Sequence, residues 1–213
     1  MKWYVFLLGS SVGKKLLMAV TGTFLAAFLC VHLLGNLMAF AGAGAFNGYA
    51  HKLHSLEPYI TVFNICLLVI ALIHVSVGII LFIQNLSARP DKYQVSKNPG
   101  GRTFASDTMP YTGALILLFT IIHLSTFTFV DKSALPIYQL MTIKFASLSW
   151  VLFYVIAMTV VAVHISHGFW SLFQTFGLNH PDHMRVIEKF GLIFSVFIGV
   201  GFGSLPIYLL FFA

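Results

Sequence analysis

Charge is what this chain has least of. Of its 213 residues only 8% are Asp, Glu, Lys or Arg, and just 6 are acidic, against about 25% charged in a soluble globular chain. So few charges cannot clothe a water-facing surface, which excludes a soluble enzyme, a nucleic-acid binder and a disordered chain. The net charge of +6 comes from the shortage of acids, not from dense Lys/Arg runs. In a membrane protein that pattern reports orientation. Cysteine is scarce too: Cys30 and Cys66 lie inside apolar runs, in no CxxC and in no CxxCH for covalent haem attachment. They read as small buried hydrophobes. A signal peptide is not expected either. The apolar stretch from Trp3 to Leu8 is only six residues long and no clear A-x-A site follows it. This segment reads as a short interfacial piece with Trp3 and Tyr4 at the headgroups.

What the chain has in abundance is long apolar sequence, 59% hydrophobic overall. Runs of about 20 residues or more, enough to cross a bilayer, fall at about 16–40, 59–86, 111–130, 147–173 and 190–212. Each must be helical, because a span in lipid has to satisfy its own backbone hydrogen bonds. The joining segments carry turn chemistry, such as Ala88-Arg89-Pro90, Leu135-Pro136 and Asn179-His180-Pro181. The expectation is an all-α bundle of five transmembrane helices in one membrane domain, residues 1–213. Lys2, Lys14, Lys15, Arg89, Lys92, Lys97, Arg102, Arg185 and Lys189 fall on one side, and Lys52, Lys132 and Lys144 on the other. The positive-inside bias puts the nine-residue side and the N-terminus in the cytoplasm.

The chain has 9 histidines, and four of them lie inside four different spans: His32, His74, His123 and His164. Ionisable residues within a span are costly and default to a functional reading. At a rise of 1.5 Å per residue, His32 and His123 lie about 24 and 18 Å from the cytoplasmic face. His74 and His164 lie about 22 and 25 Å from the opposite face. The histidines therefore form an outer pair, from spans one and three, and an inner pair, from spans two and four. Zinc would want three or four ligands, and no Cys, Asp or Glu lies at those depths. Haem iron wants two axial ligands, and neutral imidazole suits it. Gly78 and Gly168, each four residues after an inner histidine, would make room on the same helix face. Cross-helix hydrogen bonding as polar glue is the bland alternative. His167, three residues after His164, reads as a support to the ligand or a propionate-side residue.

The same residues carry a family pattern. Val31-His32-Leu33-Leu34-Gly35-Asn36, Phe46-Asn47-Gly48-Tyr49-Ala50-His51, His74 through Gly78, and His164-Ile165-Ser166-His167-Gly168-Phe169-Trp170 resemble the cytochrome b membrane-anchor subunit of succinate dehydrogenases and quinol:fumarate reductases. The likeness is to the single-chain, five-helix, two-haem form. It implies two haems b, with His32 and His123 as axial ligands of the outer and His74 and His164 of the inner. It implies electron transfer to a membrane quinone, with menaquinone the expected species. Flavoprotein and iron–sulfur subunits would dock on the cytoplasmic face, where the loop from Ser87 to Met109 is the natural contact. The complex would sit in the cell's inner membrane and be able to dimerise, and dicarboxylate chemistry would belong to the other subunits. One departure is Ala162, where some relatives carry a glutamate used as a proton path.

Quinone reduction needs protonatable groups near an electron donor. His51, His54 and Glu57 at the outer mouth are the candidates, with a hydrated or propionate-binding loop as the alternative. Ser10, Ser11, Lys14 and Lys15 are candidates for the inner propionates, although the two lysines also serve as a topology signal. Tyr111, Tyr138, Trp150 and Trp170 read as interface anchors. Gly199, Gly201 and Gly203 read as close packing of the fifth span. Two other functions stay open: a haem-free anchor or transporter, and the haem subunit of a formate or hydrogen dehydrogenase.

Overall fold

A computed structural model describes residues 3–88, 103–130 and 135–213, with the side chains of Trp3 and Tyr4 left out. Lys2, Arg89, Lys92, Lys97, Arg102 and Lys132 lie outside the described residues, as does most of the loop expected to dock partner subunits. The sidedness of the bundle therefore rests on the charge bias of the sequence.

Among the described residues all regular structure is helical: α1 (Trp3–Gly9), α2 (Ser11–Leu37, continued by a 3-10 turn Met38–Ala41), α3 (Ala43–His54), α4 (Tyr59–Ser87), α5 (Phe104–Phe127), α6 (Ile137–Phe145), α7 (Leu148–Thr175) and α8 (Pro181–Phe212). Five of these, α2, α4, α5, α7 and α8, are long and apolar enough to cross a membrane. The shortest, α5, has 24 residues and so spans about 36 Å, more than the roughly 30 Å of a bilayer's hydrocarbon. The chain is a multi-pass membrane protein.

Local chemistry places the helix starts. The Ser10 hydroxyl accepts from the Gly13 amide at 2.9 Å and caps α2. Thr103 and Ser106 form a reciprocal capping box, and it starts α5 seven residues before the expected Tyr111. Pro110 then falls inside the helix. Pro181 occupies the first turn of α8, where its missing amide is harmless, and His180 caps it. Span five is therefore nine residues longer at its start than its apolar run suggested, and Arg185 and Lys189 ride on the helix.

In the bundle α4 lies against α2, α5 against α7, and α8 against both α7 and α2. Two apolar clusters hold it. One joins Leu33 of α2, Met158 and Val161 of α7, and Ile198 of α8. The other lies at the end that the charge bias of the sequence assigns as outer, and gathers Phe46, Met141, Phe145, Val151, Tyr154, Leu205 and Leu209. Two of the three expected glycines are needed for the close approach of α8. A Cβ on Gly199 would stand 2.8 Å from the Ala162 Cβ, and one on Gly201 2.8 Å from Leu33 Cδ2. A Cβ on Gly203 would meet only ordinary contact, at 3.9 Å. The short helices α3 and α6 cover the outer end. Asn47 pins them together, its Oδ1 accepting from the Tyr138 amide and its Nδ2 donating to Gln139 Oε1, both at 3.1 Å.

Side-chain burial is uneven. Of the 29 residues of α4 only Val77 is buried, and Leu68, Leu72 and Ile79 are all more than half exposed. In water such a helix would expose far more apolar area than a soluble monomer tolerates. Cys66 belongs to the same exposed set, contrary to the expected burial, whereas Cys30 is half-buried.

Candidate functional site

The bundle brings two of the four span histidines into contact, His32 and His123, and seats His74 and His164 in separate seams. The rings of His32 on α2 and His123 on α5 have centroids 6.1 Å apart and planes 81° apart. Two imidazoles on opposite sides of one metal ion, each bonded at about 2 Å, hold their ring centres roughly 6 Å apart. Their planes are free to rotate about the common axis. Stacking fixes both rings: His32 on Phe28 at 5.2 Å and His123 on Phe119 at 5.6 Å. Phe202 of α8 lies 5.5 Å from His32. The His123 Nδ1 is 3.2 Å from the Tyr154 hydroxyl of α7.

The inner histidines sit in matching seams. His74 of α4 reaches across to α2, where its Nδ1 lies 3.0 Å from Thr21 Oγ1. His164 of α7 reaches across to α5, where its Nδ1 lies 3.1 Å from Thr112 Oγ1. In each case the next residue is a glycine that the ring leans on. A Cβ on Gly22 would stand 3.3 Å from His74 Cε1, and one on Gly113 3.6 Å from His164 Cε1.

Three further observations bear on what these pairs can hold. Among the described residues no three His, Cys, Asp or Glu side chains converge. Gly168, one turn beyond His164, opens onto space: a Cβ there would meet nothing within 4 Å. The buried Nδ1 of His167, on the same stretch of helix, has no hydrogen-bond partner. At the inner level, the open face of Gly168 and the unpaired His167 Nδ1 beside His164 are compatible with a flat group that carries polar substituents. Gly78 is different, since its open face is met by Met18 Cε at 3.6 Å. Trp170 is not an interface anchor. It is buried at 9% exposure and packs edge-on against His167, with ring centroids 4.7 Å apart. The sequence missed this because a Trp near a span end resembles a headgroup anchor whichever way its ring turns.

The expected inner anion partners divide. The Ser10 hydroxyl serves the α2 cap and donates to the Phe6 carbonyl at 2.7 Å, while Ser11 and Lys15 are exposed. Lys14 is buried at 8% exposure, and its Nζ donates to Gln84 Oε1 of α4 at 3.1 Å. At the outer mouth His51, His54 and Glu57 are all exposed. The Glu57 carboxylate accepts from the Thr61 hydroxyl at 2.7 Å, and no contact joins it to either histidine. The Phe46-Asn47 pair serves packing: Phe46 enters the outer cluster while Asn47 makes the α3–α6 bonds. Tyr49 rests where Gly35 leaves no Cβ.

Residues that the sequence reading passed over are Thr21, Thr112 and Tyr154, the partners of the ring nitrogens. A signal was there: Thr-Gly occurs at 21–22 and again at 112–113, once on each helix that faces an inner histidine.

Compared with protein-family models, curated proteins and solved structures, the chain matches none.

Proposed function

We propose that the chain is a membrane-bound cytochrome b with two haem sites stacked across the bilayer. Within that class, we propose the membrane-anchor subunit of a succinate:quinone oxidoreductase, working as a succinate dehydrogenase or a fumarate reductase. The observation that supports the first step is the 6.1 Å separation of the His32 and His123 ring centres, compatible with a shared metal, together with the matched seams that hold His74 and His164. The second step rests on the sequence resemblance.

When bound, a haem would supply one-electron exchange at these sites. His32 and His123 would hold the outer group, and His74 and His164 the inner. The phenylalanines around the outer pair keep water away. Lys14, buried with a neutral partner, is suited to an anionic substituent at the inner end. His167 offers its unpaired nitrogen near the inner group. Electrons would pass between an iron–sulfur subunit at the cytoplasmic end and a quinone, expected to be menaquinone, with a flavoprotein carrying the dicarboxylate chemistry in the cell's inner membrane. His51, His54 and Glu57 remain the candidates for supplying protons at an outer quinone site.

The test is a visible spectrum of the purified chain followed by single replacements. Two b-type haems per chain are expected. His32→Ala or His123→Ala should remove the outer one alone, and His74→Ala or His164→Ala the inner one alone. A colourless preparation would favour a haem-free anchor or transporter. Replacements that leave both centres intact would refute the ligand assignment. Co-purification of a formate- or hydrogen-oxidising partner would refute the succinate assignment.

A further inference from the structure

We propose that Thr21 and Thr112 are positioning residues that fix the protonation pattern of the two inner histidines and set how strongly the pair donates to its metal. The inference rests on the di-haem reading and goes beyond it, because it concerns residues that bind no metal.

A threonine hydroxyl has one proton to give. The Thr21 hydroxyl gives its proton within α2, to the Leu17 carbonyl at 2.6 Å, with the Met18 carbonyl at 3.3 Å. Thr112 does the same within α5, toward the carbonyls of Thr108 and Met109, each at 3.1 Å. With that proton committed, each Oγ1 faces its histidine as an acceptor. The atom 3.0 Å away in His74 and 3.1 Å away in His164 must then be an Nδ1 that carries hydrogen. A neutral imidazole has only one N–H. Nε2 is therefore left with its lone pair free in both rings, which is the state a metal ligand needs.

The same bond also tunes the donor. Accepting the Nδ1 proton raises the electron density of the ring and makes Nε2 a stronger base toward the metal. A stronger donor favours the oxidised ion over the reduced one and lowers the potential of the centre. Both Thr residues are buried, at 5% and 7% exposure, so water does not compete for the bond. The outer pair is built differently. His123 faces a phenol 3.2 Å away. Nδ1 and Nε2 of His32 each have only the Asn36 amide nitrogen, at 3.5 Å. Hydroxyl support with a committed proton thus belongs to one level of the bundle, which makes the outer centre an internal control.

The experiment is a redox titration of the purified protein, resolved into its two centres, for Thr21→Val, Thr112→Val and the matching serine variants. Each valine variant should weaken the preference for oxidised over reduced metal at the inner centre by roughly tenfold, an upward shift of about 59 mV for a one-electron couple. The outer centre should not move, and serine should restore the wild-type value. An inner potential indifferent to valine would overturn the inference, as would equal shifts at both centres or equal effects of serine and valine. If a valine variant does not accumulate, the alanine variant carries the same expectation. Should valine and alanine both fail while serine accumulates, the hydroxyl has a folding role and the inference is overturned. Wild-type protein lacking two b-type centres would overturn the functional reading as well. Two normal centres with an unmoved inner potential would overturn this inference alone.

Discussion

Replacing Gly22 and Gly113 by alanine, one at a time, should have opposite consequences. The two glycines play the same part on two helices, but not at the same distance. An added Cβ at Gly113 would stand 3.6 Å from His164 Cε1, within the optimal carbon–carbon range of about 3.5–4.0 Å. At Gly22 it would stand 3.3 Å from His74 Cε1, so the ring has to withdraw by a few tenths of an ångström. Metal–nitrogen bonds hold their length to about 0.2 Å, which makes such a withdrawal costly for a ligand although trivial for ordinary packing. Both changes gain helix propensity worth up to about 1 kcal/mol, so damage from Gly22→Ala cannot be laid to a weaker α2. Gly113→Ala should retain the full inner haem and melt at or above the wild-type temperature. Gly22→Ala should lose part of the inner haem or broaden its low-spin spectrum, and the bulkier Gly22→Val should lose it altogether, with the outer haem intact in each. The assay is haem content from reduced-minus-oxidised spectra, read beside thermal unfolding in detergent. Equal damage from both alanines, or a normal inner centre in Gly22→Val, would refute the steric argument.

Further outcomes follow from other contacts. Asn47→Ala removes both bonds between α3 and α6 and should cost about 1–3 kcal/mol, seen as a lowered melting temperature and faster amide exchange across Ile137–Phe145. Gly201→Val would drive side-chain atoms into Leu33 and should destabilise the α2–α8 contact by about 1–3 kcal/mol, whereas Gly203→Ala should be tolerated; a thermal-shift comparison of the two decides it. Lys14→Met keeps the buried stem but loses the ammonium. It should leave the fold intact and loosen the inner haem, measured as faster haem loss to an acceptor protein. Alanine at His54 and at Glu57 should slow quinone turnover with both haems retained, and unchanged turnover in both would end the outer-site assignment.

The five spans were legible because lipid permits one solution for a long apolar run. Their ends were less so, since the ends are set by caps and not by hydrophobicity. Pro110 and the polar residues before it hid the first turns of α5, yet the Thr103–Ser106 capping box starts the helix upstream of them. Apolar content hid the first turns of α8, which are polar but still helical from Pro181. The nine-residue α6 was missed because Leu135-Pro136 reads as a turn, whereas Pro136 in fact sits just before the helix begins. The nearness of His32 to His123 followed from helix rise alone. The hydroxyl partners of His74 and His164 did not, because a threonine inside an apolar run looks like a residue bonded to its own helix. Thr21 and Thr112 are so bonded, and each turns its second face to a neighbouring ring.

The sparse packing of α4 has a consequence for how this protein is made. A helix with a single buried side chain is held by little of its own, and one of the four histidines sits on it. On the di-haem reading, a group bound at His74 would add to that grip, so seating the helix and acquiring the cargo would become a single equilibrium.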